Sequence, residues 1–248
     1  MAIELEPPYI LSGTLSLIFV VFAIVIGLRI VSKYFEHKRR ELLFVGLTAI
    51  LISEPWWPSA FGFLNILITG EALPDQIYLL MGVSLIPMLV LFWLTAFTDL
   101  LYKEKQKIIL IAFAIYGALF EIFFLSFLVI NPSIIGSISG YFDPNYGLFV
   151  RVYEISLLGI ILITGVLFAR KSLKSDDKEI QLKGKFILVA IFSFIFGGAL
   201  DIVALLEFPS PTSIILVVIA RLILISCAVE FYIGLILPER IKRIFLKQ

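Results

Sequence analysis

No residue between Glu6 and Arg29 is charged. A run of that length can cross the hydrocarbon core of a bilayer as a helix, which takes about 20 mostly apolar residues. Similar runs recur along the chain, and the predicted spans fall near 10–30, 42–57, 76–98, 108–130, 150–169, 186–206 and 213–237. Of the 248 residues, 60% are hydrophobic and 16% charged, and the mean hydropathy is +1.07. A soluble domain has about 45–50% apolar and about 25% charged residues, so this chain has too much apolar surface for one water-facing globule. The expected fold is an all-α integral membrane protein, a single seven-transmembrane helix bundle spread over residues 1–248 in the cell membrane.

Orientation follows from the basic residues of the short connections. Lys33, Lys38, Arg39 and Arg40 follow span one, and Lys103, Lys105 and Lys107 follow span three. Six bases from Arg170 to Lys185 follow span five, and Arg240, Lys242, Arg243 and Lys247 follow span seven. The alternate segments carry Glu4, Glu6, Glu71, Asp75, Asp143 and Glu207. The expectation is an N-terminus outside and a C-terminus inside. The start of the chain lacks a basic leader and a small-residue cleavage site, so span one is expected to stay in the mature protein.

Ionisable groups at membrane depth are costly and usually face the bundle interior. Placed by depth, they form two groups. An outer group holds Glu54, Glu121, Arg151, Glu154, Asp201 and Arg221, which makes these the candidate ligand- or ion-binding residues. Asp201 and Arg221 are expected to pair, because consecutive antiparallel helices bring them to similar depth. With two bases for four acids, at least two carboxylates lack a basic partner and are then protonated, hydrated, or bound to a cation or an amine-bearing ligand. Interhelical hydrogen bonding that only holds the bundle together accounts for the same residues equally well. The inner group, Arg29, Asp99 and Glu230, is expected to snorkel and form ion pairs at the inner boundary.

Prolines and loops add detail. Pro55 and Pro58 are expected to stop span two, leaving Pro55–Gly70, with Trp56 and Trp57, as an interfacial stretch. Pro87 is expected to kink span three and free backbone carbonyls. Asn131–Phe149, rich in Gly, Ser, Pro and Asn, reads as a loop able to cover an outer cavity. Spans one to three and five to seven share direction, which fits a parallel repeat flanking span four.

Several functions are excluded. No lysine lies between Lys185 and Lys242, so a retinal Schiff base in span seven is ruled out. His37 is the single histidine, which leaves no haem histidine pair, no histidine metal centre and no HExxH protease. Cys227 is the single cysteine, and nucleotide-binding glycine motifs are missing. A net charge of +1 offers no argument for nucleic acid. No catalytic motif stands out, although Asp99 and Asp201 keep a paired-aspartate protease formally open.

The segments PMLVLFWLTAFTDLLYKEKQK, from Pro87 to Lys107, and LLGIILITGVLFARKSLKSDDKEIQLKGKFILVAIFSFIFGG, from span five into span six, carry a resemblance. The pattern resembles the N-terminal seven-transmembrane sensor module of archaeal and bacterial histidine kinases. It lies in a proline-led third span with an aromatic-polar exit and in a polar linker between spans five and six. The resemblance implies sensing. No kinase segment follows span seven before Gln248, so the expectation is a receptor-like sensor acting through a cytoplasmic signalling partner, free to form homo-oligomers. The alternative is a proton, cation or small-solute transporter, a channel, or a membrane-embedded subunit of a larger complex.

Overall fold

Seven helical spans, long and apolar enough to cross a membrane, make up the computed structural model, which describes residues 3–141, 143–205 and 208–246. Span one is α1 (Pro7–His37). Spans two and three are each built from two helices, α2 (Arg40–Leu51) with α3 (Trp57–Thr69) and α4 (Asp75–Val83) with α5 (Ile86–Leu101). Then come α6 (Gln106–Ile130), a hairpin of β1 (Gly136–Ser139) and β2 (Asp143–Tyr146), α7 (Leu148–Leu173), α8 (Lys178–Leu205) and α9 (Pro211–Ile236). A short amphipathic helix, α10 (Glu239–Leu246), ends the described chain. The Leu206 end of span six, Glu207 and Lys247 lie outside the described residues, as does the Asp143 side chain.

Proline sets the joints. A proline has no N–H to give and clashes with the carbonyl four residues back, yet it suits the first turn of a helix. Pro55 and Pro58 therefore interrupt span two without ending it. The chain turns through a 3-10 segment at Glu54–Trp56 and starts again as α3, so the span runs from Arg40 to Thr69. Pro55–Gly70 thus forms the second half of a helical run long and apolar enough to span a membrane, where an interfacial stretch was expected, and it packs along α1, with Phe63 against Gly13. In span three the joint falls at Ser84–Leu85, ahead of Pro87. No proline lies inside α8 and none beyond the first position of α9. The interrupted spans two and three therefore differ in form from spans six and seven, their counterparts in the expected repeat.

The spans close into a ring. Helix α1 contacts α2, α3 and α9; α2 contacts α5; α5 contacts α7; α7 contacts α8; and α8 contacts α9. Helix α6 packs outside α5, with Pro87 seated at Gly117. Its exposed face carries Ile108, Ile111, Ile115, Leu119 and Ile122, a surface suited to lipid. Helices α1 and α2 approach closely, since a Cβ added at Gly27 would stand 2.7 Å from the Gly46 carbonyl oxygen. Inside the ring, Phe19, Trp56, Trp93, Phe194, Leu224 and Phe231 belong to one continuous apolar core.

Asn131–Phe149 is more ordered than a plain covering loop. Its two strands pair antiparallel, Gly136 opposite Tyr146. Ile135 is fully buried, and the Tyr146 hydroxyl packs close against Gly82, where an added Cβ would meet both it and Pro58. The end of the bundle holding this hairpin is the hairpin end below. The end holding the α1–α2, α5–α6 and α7–α8 connections and α10 is the basic end.

Candidate functional site

Five of the six candidate residues of the outer group divide into two clusters, while Arg151 belongs to neither, so the six do not share one compartment. The first cluster is an ion pair. Asp201 on α8 and Arg221 on α9 are buried, 5% and 1% exposed, and Arg221 Nη1 donates to Asp201 Oδ2 at 3.0 Å. The same oxygen accepts from Trp56 Nε1 at 2.9 Å, and the guanidinium lies over the Trp56 ring at 5.5 Å. Phe19 and Phe194 stand edge-on to that ring. Trp56 is therefore a buried partner of the ion pair rather than a headgroup anchor. Arginine suits the place because its planar, weakly hydrated cation can hydrogen-bond a carboxylate and stack on an aromatic face together. This cluster ties spans two, six and seven.

The second cluster surrounds the two helix joints. Glu54 is fully buried in the turn between α2 and α3, and its Oε1 accepts from the Leu85 backbone N–H at 2.6 Å. That amide is released because the ladder of span three breaks ahead of Pro87. The backbone group that finds a side chain is thus an N–H and not one of the expected carbonyls. One broken helix caps the other.

Glu54 Oε2 is buried without a hydrogen-bond partner, and so is one carboxylate oxygen of Glu121 on α6. Glu121 and Glu154, the latter on α7, are near enough to act electrostatically on Glu54. From the hairpin, the Tyr146 hydroxyl is buried among Glu154, Tyr78 and Glu54. Burial pushes the Tyr146 phenol well above its usual range, and those three neighbours push the same way. Tyr78 and Ser59 share a 2.8 Å hydrogen bond beside the joint. Among the described residues none of the three glutamates forms an ion pair.

Arg151 stands apart from both clusters. It is exposed and donates to the Asn145 side chain at 2.5 Å, which ties the start of α7 to the hairpin. Its charge is felt at Glu154 without an ion pair. The guanidinium finds water and an amide at the bundle surface, so it need not be buried with the acids.

The inner group is also divided. Asp99 is ion-paired with Lys103 and with Arg40 Nε at 2.8 Å, and accepts from Gln106 Nε2 at 2.9 Å. Arg29 is exposed and lies over the Tyr232 ring at 5.5 Å. Glu230 accepts from Ser226 at 2.7 Å and has no ion pair among the described residues, contrary to expectation. Ser226 is one turn away on the same face, where a hydroxyl meets the carboxylate without help from another helix.

Chemically, the ion pair has its charges matched internally, whereas the glutamate cluster does not. Burying an ionised carboxylate without a cation is costly. Three such groups side by side are therefore a place where a proton changes the local charge balance. Among the described residues no group of three carboxylate, histidine or cysteine side chains is arranged to hold a metal ion. The sequence reading missed Trp56, Tyr146 and the Leu85 amide. The first stands two residues from Glu54 in the proline-flanked stretch EPWWP, a signal visible once the prolines are read as joints; the second is one of four aromatics between Asn131 and Phe149, and nothing in the sequence singles it out. No protein family model, curated protein or solved structure matches the chain.

Proposed function

We propose that the protein is a multi-pass membrane sensor that takes up a proton at Glu54, Glu121 and Glu154 and transmits the resulting helix shift to a cytoplasmic partner at its basic end. The hairpin end then faces outside and the basic end the cytoplasm, as the distribution of lysine and arginine favours. The observation carrying this reading is the crossing of two interrupted helices at Glu54. One oxygen of that carboxylate holds the Leu85 amide, while the other is buried beside further acids with no base to match it.

Ionised together, the three carboxylates repel one another and favour separation of spans two, four and five. A proton shared into the cluster removes that repulsion and supplies a hydrogen-bond donor. Broken helices are suited to respond, because each joint has already given up its ladder bonds. The signal requires that the proton favour one arrangement over the other. The resemblance of spans three to six to kinase sensor modules points the same way.

The test uses protein in nanodiscs with spin labels in the α5–α6 and α7–α8 connections, and reads label distances as pH is varied. Glu54→Gln keeps a carbonyl to accept from Leu85 but cannot exchange a proton, so the pH response should disappear while the fold persists. A response left intact by Glu54→Gln, Glu121→Gln and Glu154→Gln together would falsify the reading.

A transporter is the second reading, favoured by the same joints, since interrupted helices in transporters surround midplane ion sites. Proton flux into liposomes carrying the purified protein, lost in Glu54→Gln, would select it over the sensor.

A further inference from the structure

At the basic end, α10 turns back along the start of α8. The αL conformation of Leu237 reverses the chain after α9, and Pro238 follows. Lys242 is then ion-paired with Glu179, and Phe245 meets the Phe186 ring edge-on at 5.6 Å. Glu179 and Phe186 lie seven residues apart on α8, so α10 runs along the first turns of span six over about 10 Å. Ile244 and Phe245 are 68% and 57% exposed, at the level where the apolar run of α8 begins. One edge of Phe245 therefore rests on α8, while Ile244 and the rest of the Phe245 ring stand clear of the bundle, with Arg240 and Arg243 exposed around them.

Beside α10, Lys183 is half-buried on α8 and forms no ion pair among the described residues. The charged groups around it are Arg39 from the α1–α2 connection, Lys242 from α10, and Glu179 and Asp177. Both acids are engaged elsewhere. Glu179 takes Lys242, Asp177 caps the Glu179 amide at 2.7 Å, and Arg39 is held by Glu41 at its own loop. Lys183, without an ion pair, thus stands one turn from Glu179 and its Lys242 partner, within electrostatic reach of Arg39 and beside the exposed apolar side of α10. This arrangement offers the two halves of one ligand's chemistry, an anionic phosphate and hydrocarbon chains.

We infer that Lys183, Arg39 and Lys242 form a headgroup site for an anionic phospholipid, whose acyl chains lie against Ile244 and Phe245. The lipid phosphate supplies the countercharge that Lys183 lacks. It also clamps α10 to α8 and to the α1–α2 connection, three elements that no single side-chain contact links. Each basic residue near an anionic surface adds enough attraction to change binding by about fivefold.

The experiment is native mass spectrometry of the purified full chain in detergent, with phosphatidylglycerol or phosphatidylcholine of matched chains added. Phosphatidylglycerol should be retained selectively, about fivefold less in Lys183→Gln and further less in Lys183→Gln with Arg39→Gln. Phosphatidylcholine retention should not change. Unchanged melting temperatures keep a folding defect from imitating the loss, and Ile244→Ser, on the exposed side of α10, should also lower retention, with Phe245 left in place because it docks the helix on Phe186. Equal retention of the two lipids, or wild-type retention by both basic variants, would overturn the site. Competition by millimolar inorganic phosphate without any effect of the Ile244 change would show a free anion site and overturn the lipid assignment.

Discussion

Replacing Asp201 with Asn tests whether the ion pair under Trp56 is structural. At 3.0 Å between Arg221 Nη1 and Asp201 Oδ2, and an effective dielectric of about 20, the attraction is about 5 kcal/mol. Removing one partner of such a pair typically costs about 3–5 kcal/mol, because a buried charge loses its match. The Asn carbonyl still accepts from Trp56 Nε1, so the indole bond survives and the loss reports the charge. Asp201→Asn should therefore destabilise by about 3–5 kcal/mol. Combined with Arg221→Gln, which removes the other charge, most of that loss should return, giving a coupling energy of at least about 2 kcal/mol. Trp56→Phe, which deletes one bond to a charged acceptor, should cost about 1.5–3 kcal/mol. Equilibrium unfolding in mixed micelles of the two singles and the double measures the cycle. Single and double losses that simply add, or an Asp201→Asn loss below about 1 kcal/mol, would refute a pair stabilised by its charges and leave only packing around Trp56.

Three further outcomes follow from local geometry. Gly46→Ala should push α1 from α2, because the new Cβ would lie 2.8 Å from the Gly27 oxygen and the Val31 nitrogen; overpacking of this kind costs about 1–3 kcal/mol in the same unfolding assay. Tyr146→Phe should leave stability unchanged or raise it by up to about 1 kcal/mol, since the hydroxyl it deletes is buried without a hydrogen-bond partner; a clear loss would reveal a bond between that phenol and the glutamates. Lys242 is held above its ordinary value first by its hydrogen bond to Glu179. A raised folded-state value stabilises docking fully below the unfolded value of about 10.4, and the contribution fades as pH climbs through the folded one. Protection factors of the α10 amides, which correct for the base-catalysed intrinsic rate, should therefore hold at neutral pH and fall in that alkaline range, whereas Glu179→Gln should lower them already at neutral pH and remove the alkaline step.

Much of this arrangement is legible along the chain. The runs bounded by Glu6 and Arg29, or by Lys107 and Asn131, place helices whatever their packing, because an apolar stretch of that length has few alternatives. The Asp201–Arg221 pair is legible too, since two consecutive antiparallel helices joined by a short connection leave little freedom in depth. Pro55 shows a different outcome. Sequence marks where the ladder must break, but a helix that stops and a helix that resumes after one turn present the same residues.

The amino-acid order alone placed the seven apolar runs along the chain, and with them the relative height of each charge within its run and the bases at one end of the bundle. Rotation of each helix about its axis was settled only by packing. Glu54 and Trp56 are two residues apart at nearly one depth, yet the turn between α2 and α3 sends one toward Leu85 and the glutamates and the other toward Asp201. Depth accumulates residue by residue along a single strand of chain, whereas azimuth depends on which neighbours fit together across the whole ring. Charges grouped by depth therefore became two clusters, one matched within itself and one with no ion pair among the described residues.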